Sequence, residues 1–548
     1  MSKTIRITKH CGRLLMLAAF IFLLVPGGLG WAESPAGRTA PTESFAVGMR
    51  DEPTGLDPAL VSDVASMFVT NQVYDTLVRY RQGGSTLVPG LAQSWSVSPD
   101  SMTWTFNVRP GVQFHDGTIL DAAAVLYNFD RWWDPDHPYH NGSFEFFAAL
   151  FGGFKGEPGC LISGLSTNGS QQFLLQLTEP FNPLPSLLTM PVFAIASPTA
   201  IQGGSLSTSP VGSGPFRFGE WVSGDHVQLD ANPAYWGGQP SLDNLAFEIL
   251  LDDAARYTAL QGNAIQAAMN LPESYAITAT LDTNLRIYWR PSSGIGYLGI
   301  NRGHTPLGNP LVRQAIAHAI NTPQLLADAY GPGHQPADQF LPPEVRGYNP
   351  AAPSYNYDPT LAQSLLAQAG YPGGVGLPPF TLAYRSNVKP YLPDPLAAAE
   401  AIHDDLLAVG INAVVTEYSS GEFITKYQNG ELDLFLLGWT ADYLHPDNFF
   451  APHFCNTSNL GFGPQDATLC SQVDEARSDP DIADQLSLYQ SASARVMETL
   501  PMVPLTYPTP LLVTRRNVAG LFPSPQGFDW YGRVFFASDW IYMPIVRR

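Results

Sequence analysis

The chain has 548 residues, of which only 14% are charged, with 49 glycines, 49 prolines and a formal net charge of -20. That length exceeds one ordinary domain and predicts two or three, while low charge with abundant Gly and Pro excludes a long charged tail and implies many turns around a large core. The negative balance excludes a nucleic-acid partner, whose phosphates it repels, and leaves small ligands open.

Lys3, Arg6, Lys9 and Arg13 precede an apolar stretch at 14–25, and Gly30-Trp31-Ala32 supplies small residues where a signal peptidase needs them. Residues 1–32 therefore read as a secretory signal peptide cut after Ala32 and are set apart from the fold. The apolar stretch is too short to span a membrane, and no later stretch approaches about 18 apolar residues. Cys11 precedes the apolar stretch, the wrong place for a lipid-modified cysteine. A soluble, exported protein is expected.

In the mature chain, 45–49 alternates as a short strand and feeds the double turn at 51–58. Residues 66–77 carry apolar positions at helical spacing, and 103–108 alternates aromatic with polar as a strand. Asp121 is placed to cap a helix over 122–133. His115 beside Asp116 resembles a catalytic dyad on paper, yet adjacent side chains seldom face each other and no nucleophile accompanies them, so a structural turn is the better reading. His137 and His140 show metal-ligand spacing without further ligands. Residues 144–170 read as loose and Gly-rich, followed by a strand at 171–179 and a short apolar helix at 184–190.

The turn-rich stretch 209–216 leads into a strand at 216–221 and lacks the helix and Lys-Ser/Thr pair of a phosphate loop, so it reads as a crossing between subdomains. Strands follow at 227–230 and 245–250, then a helix at 252–260 and a short strand at 265–269. The order helix, Gln/Asn-Gly, apolar strand recurs at 422–437 and suggests two lobes built alike. After a strand at 296–301, the pairs Asn309-Pro310, Thr322-Pro323, Asp358-Pro359 and Asp394-Pro395 each start a helix, proline being harmless at the first helical position. Strands at 380–384, 412–416 and 432–437 alternate with these helices, predicting an α/β lobe with an at least partly parallel sheet. A helix at 487–500 and strands at 503–507 and 511–514 complete the pattern.

Ligand sites in such sheets lie beyond the carboxyl ends of strands. There the chain places Trp439, Thr440, Asp442 and Tyr443 in quick succession. One carboxylate among aromatic rings is what holding an ammonium group requires, because a desolvated charge must be paired. The same segment also fits a surface loop with Asp442 in water. Cys455 and Cys470, 15 residues apart across a Gly/Asn-rich loop, fit a local disulfide, which would leave Cys160 free and buried.

Several motifs then converge: Asp57-Pro58, Leu91-Ala92 to Trp95, Phe114-His115-Asp116-Gly117, Pro210 to Phe216, Asn232-Pro233-Ala234-Tyr235-Trp236, Val312-Arg313-Gln314-Ala315 and Gly438 to Tyr443. Together the chain resembles the family 5 extracellular solute-binding proteins of bacterial ABC transporters, its dipeptide-binding members above all. The resemblance implies an α/β, two-lobed, three-domain clamshell of the type II periplasmic class that delivers its ligand to an inner-membrane ABC permease. It suggests a first lobe from 33–81, 211–296 and 505–548, an inserted domain at 82–210 and a second lobe at 297–504.

The resemblance also maps the amine-binding role to Asp442. It places the carboxylate-holding arginine of that group at Lys389, in Lys389-Pro390-Tyr391, where Lys keeps the charge and loses the two-donor fork. Tyr391, Trp439, Thr440 and Tyr443 complete the expected site. A solvated surface Lys389 is the competing reading.

The implied protein is a periplasmic monomer that binds a short peptide and uses no cofactor. Another amine-bearing solute, a nickel complex, haem or an oligosaccharide would suit the same clamshell. A secreted hydrolase is disfavoured by the lack of Gly-Xaa-Ser-Xaa-Gly and His-Glu-Xaa-Xaa-His, and a purely structural envelope protein would show no ligand-dependent closure.

Overall fold

The computed structural model describes residues 43–537, and the signal-peptide reading lies outside them. Three sheets organise the chain. The first has seven strands in the order Leu285–Trp289, Leu511–Arg515, Ala267–Ala268, Ser44–Met49, Asn244–Ile249, His226–Ala231 and Phe216–Val222. The first described strand runs parallel to both its neighbours, and the rest of that sheet is antiparallel. The second sheet, with four antiparallel strands, uses only Ala92–Val97, Thr103–Val108, Ile162–Asn168 and Gln172–Leu177, so it is a local insertion.

The third sheet has six strands, ordered His334–Pro336, Met502–Pro508, Gly294–Ile300, Leu434–Thr440, Phe380–Tyr384 and Ala413–Glu417. It is mixed: Phe380–Tyr384 pairs in parallel with both neighbours, while Gly294–Ile300 is antiparallel to its own. The strands Gly294–Ile300 and Met502–Pro508 run across the positions 297 and 504 at which the sequence suggested boundaries.

Local chemistry explains the helix starts. Asp121, Asn309, Asp358 and Asp394 each accept a hydrogen bond from a first-turn amide, with proline opening the last three helices. The helix expected at 66–77 is Val64–Val73, because Tyr74 turns extended and carries Asp75 to three donors on 213–236. Residues 144–170, read as loose, contain the helix Glu145–Phe151 and the strand Ile162–Asn168. The helix has no side-chain cap, and the strand is a largely exposed edge strand with an irregular register at Gly164, so neither leaves a period in the sequence.

Apolar side chains from helices and sheet faces fill separate cores in the insertion, the third-sheet lobe and the first-sheet lobe. The chain crosses between the first and third sheets twice, at 290–293 and 509–510, and the crossings lie side by side, with Arg290 N–H donating to the Pro510 carbonyl at 3.0 Å. Next to them, Arg290 and Asp529 form a buried bidentate ion pair, both contacts 2.6 Å. The turn at 209–216 packs on the end of the first helix: a Cβ on Gly212 would stand 2.2 Å from the Val73 carbonyl oxygen, so only glycine fits.

Candidate functional site

The antiparallel register Gly294↔Thr440 brings the carboxyl end of Leu434–Thr440 against the crossing segment, and Ala441 N–H donates to the Ser293 carbonyl at 2.9 Å. Because Phe380–Tyr384 runs parallel to that strand, its carboxyl end opens at the same edge and delivers Arg385, Lys389 and Tyr391 beside Trp439 and Asp442. These residues, with Thr440, line one cavity of about 560 Å³.

Asp442 is half-buried and, among the described residues, has no Lys, Arg or His within ion-pair distance. Its Oδ2 accepts from Asn448 Nδ2 at 3.2 Å. Desolvation lifts its pKa above the ordinary 3.8, opposed by that Asn448 hydrogen bond. Asn448 fixes the corner: its Oδ1 accepts from the Asp442 amide and from the Trp439 indole, each at 3.0 Å. The Trp439 ring meets His453 edge-on, centroids 5.0 Å apart. His453 is buried, which pushes its pKa down to about 4 despite the hydrogen bond with the Phe449 carbonyl, so it adds no charge at neutral pH.

Opposite the carboxylate stand two cations. Lys389 is exposed at a tight turn closed by its own backbone to Leu392, at 3.1 and 2.8 Å. Arg385, which the sequence reading missed, donates to Tyr391 Oη at 3.3 Å and lies over the Phe423 ring at 5.6 Å. Nothing local marked it; only the strand direction brings it to the cavity. Tyr391 itself is buried and packs over Gly438, where a Cβ would stand 2.3 Å from its ring. Glycine at that strand position is therefore a condition for the tyrosine wall.

Tyr443 is not part of this wall. It is 3% exposed and packs with the core of the inserted domain, so it joins the lobes. Nearby, Leu444 N–H donates to Tyr80 Oη at 2.8 Å and Gln526 Nε2 to the Asp442 carbonyl at 2.7 Å, tying this corner to the opposite lobe. Cys455 and Cys470 are disulfide-bonded, with Cα atoms 5.4 Å apart. The bridge ties the end of the turn Ala451–Cys455 to the helix Ala467–Ser478, and Asn456, Ser458 and Asn459, which line the cavity, follow directly. Cys160 is free and buried.

The other motifs are structural. His115 Nε2 meets the Gly214 carbonyl at 3.0 Å while Asp116 binds Ser197 and Thr118, so the two do not form a dyad. His140 Nδ1 meets the Arg131 carbonyl at 2.8 Å, His137 Nδ1 accepts from the Tyr139 amide at 3.2 Å, and no group of three metal-ligating side chains occurs among the described residues.

A two-lobed α/β body joined by paired crossings, with a charged and aromatic cavity at the crossing, defines a solute-binding protein. Residues 86–461 match the family described as bacterial extracellular solute-binding proteins, family 5 (middle). The chain belongs to that family. It is 30% identical over 499 residues to the dipeptide-binding protein of Escherichia coli, covering 87% of this chain and 91% of that protein. The structure of HbpA2 from Haemophilus parasuis superposes with a TM-score of 0.84 at 26% identity, covering 90% of this chain and 99% of that one. The periplasmic binding protein DppA from Helicobacter pylori, in complex with peptide STSA, gives a TM-score of 0.69 at 26% identity, covering 90% and 98%.

Proposed function

We propose that the protein binds a short peptide between its lobes, with the peptide's ammonium on Asp442 and its carboxylate on Lys389. Arg385 stands behind the second contact, and Tyr391, Trp439 and Thr440 form the walls. The observation that carries this reading is a desolvated carboxylate without a protein cation, facing two cations across one cavity. A zwitterion supplies the missing partner at each end, whereas a neutral sugar leaves both charges unmet. The similarity to dipeptide-binding relatives supports the same ligand class. In this role the chain is exported to the periplasm, acts as a monomer and hands its ligand to an inner-membrane ABC permease, with no chemistry at the site.

Titration calorimetry with Ala-Ala, its N-acetyl form and its C-terminal amide tests the assignment. Blocking either end is expected to weaken binding about 30-fold or more, the usual scale for unpairing a desolvated charge. Equal binding of all three would refute it.

A further inference from the structure

A second cavity, of about 290 Å³, lies on the first-sheet lobe and borders the same corner. Gln526 and Tyr80 line it, and these are the residues that bond the backbone of Asp442 and Leu444. The two cavities are thus neighbours across the cleft. Arg79, Arg81 and Arg533 line the second one, in a chain whose net charge is -20. Among the described residues, none of the three has a carboxylate within ion-pair distance.

The carboxylate in this wall, Asp75, is already occupied. It accepts from Ser213 Oγ and Tyr235 Oη at 3.0 Å and from Trp236 Nε1 at 2.8 Å. Arg79 is held in place: its guanidinium lies over the rings of Trp236 and Trp530 at 5.1 and 5.7 Å, and its one polar partner among the described residues is Tyr235 Oη at 3.4 Å. A guanidinium fixed by two indoles, with donors to spare, is pre-organised to grip a carboxylate. Three arginines facing one cavity repel each other unless an anion enters, which favours a ligand carrying negative charge.

We propose that this cavity is an anion subsite of the cleft, and that the protein selects short peptides bearing an acidic side chain over neutral ones of the same shape. The proposal rests on the peptide reading above and adds the class of side chain. The terminal groups are met by Asp442 and Lys389 in one lobe, and the second carboxylate by Arg79, Arg81 and Arg533 in the other. A ligand contacting both lobes in this way also favours their closed arrangement, because its charges are satisfied only when both cavities are engaged.

Calorimetry on the ligand-stripped full protein with Ala-Glu against Ala-Gln, and Glu-Ala against Gln-Ala, tests it. One acidic dipeptide is expected to bind about 10-fold or more tightly than its amide partner, with the ratio shrinking at high salt. In Arg81→Ala/Arg533→Ala, and separately in Arg79→Met, that ratio is expected to fall towards one. In Asp442→Asn both members of the pair weaken and the ratio persists. Equal binding of acid and amide in the wild type overturns the subsite alone, as does a ratio that survives in both arginine variants. Failure of every dipeptide to bind overturns the peptide reading, and the subsite with it.

Discussion

Replacing Asp442 with Asn tests the centre of the site, because affinity and stability should respond with opposite signs. In the wild-type protein, Oδ2 accepts one amide hydrogen bond from Asn448, and among the described residues Oδ1 has no protein donor. The carboxylate can therefore give an ammonium at least one charge-assisted hydrogen bond, of about 1.5–3 kcal/mol. Unpairing a desolvated charge raises the loss towards about 2–5 kcal/mol, and the half-buried position argues for the middle of that range. The variant should lose about 30- to 1,000-fold in dipeptide affinity.

The ligand-free protein should be no less stable, and slightly more so at neutral pH. Desolvation holds the Asp442 pKa above its ordinary 3.8, so the folded state takes up a proton more readily than the unfolded chain. Its contribution to stability therefore rises as pH falls through that interval, and the penalty of the ionised form is fully present above it. Binding runs the other way and fades as Asp442 is protonated, beginning at a higher pH than an exposed aspartate would give. Calorimetry between pH 4 and 8 (about the span in which such a carboxylate and a histidine titrate), with thermal melts of both proteins, reads both effects. Unchanged affinity in Asp442→Asn, or a large loss of stability without loss of affinity, would refute the assignment.

Gly438→Ala should displace Tyr391 and destabilise the fold by about 1–3 kcal/mol through overpacking. The new Cβ would stand 2.3 Å from the tyrosine ring and 2.4 Å from the Ile295 carbonyl oxygen; a denaturant midpoint equal to wild type would contradict this. Reducing Cys455–Cys470, which closes a 15-residue separation, should lower stability by about 3 kcal/mol on the chain-entropy model. Melts with and without dithiothreitol measure it, with Cys470→Ser expected to match the reduced wild type. Asp529→Asn should cost about 3–5 kcal/mol by leaving the Arg290 guanidinium buried without its ion partner. Urea unfolding of the ligand-free protein checks this, and a change below about 1 kcal/mol would show that solvent reaches the pair.

Much of the fold was legible because periodicity and caps act over a few residues. The alternation of Thr103–Val108, the Asp-Pro starts at 358 and 394, and the strand leading to Trp439 all report local backbone geometry. Where local signals are weak, as in the uncapped helix Glu145–Phe151 and the edge strand Ile162–Asn168, the sequence was silent. Trp439, Thr440, Asp442, Lys389 and Tyr391 could be proposed from chemistry and order along the chain, and they line one cavity.

Tertiary structure alone decided what surrounds them. Asn448 organises the corner through a short turn that no motif announces, and Arg385 arrives because its strand runs parallel to its neighbour. Tyr443, one residue beyond Asp442, is drawn into a core assembled by the inserted domain. Arg79 gains its two indoles from positions 236 and 530, and the strand Leu511–Arg515 returns to pair with Leu285–Trp289. Such contacts depend on closing loops of hundreds of residues, and their register is fixed by the packing of whole sheets rather than by any local sequence. The sequence thus determined the lobes' elements and one charged end of the cleft, while the chain's return decided which cations face it.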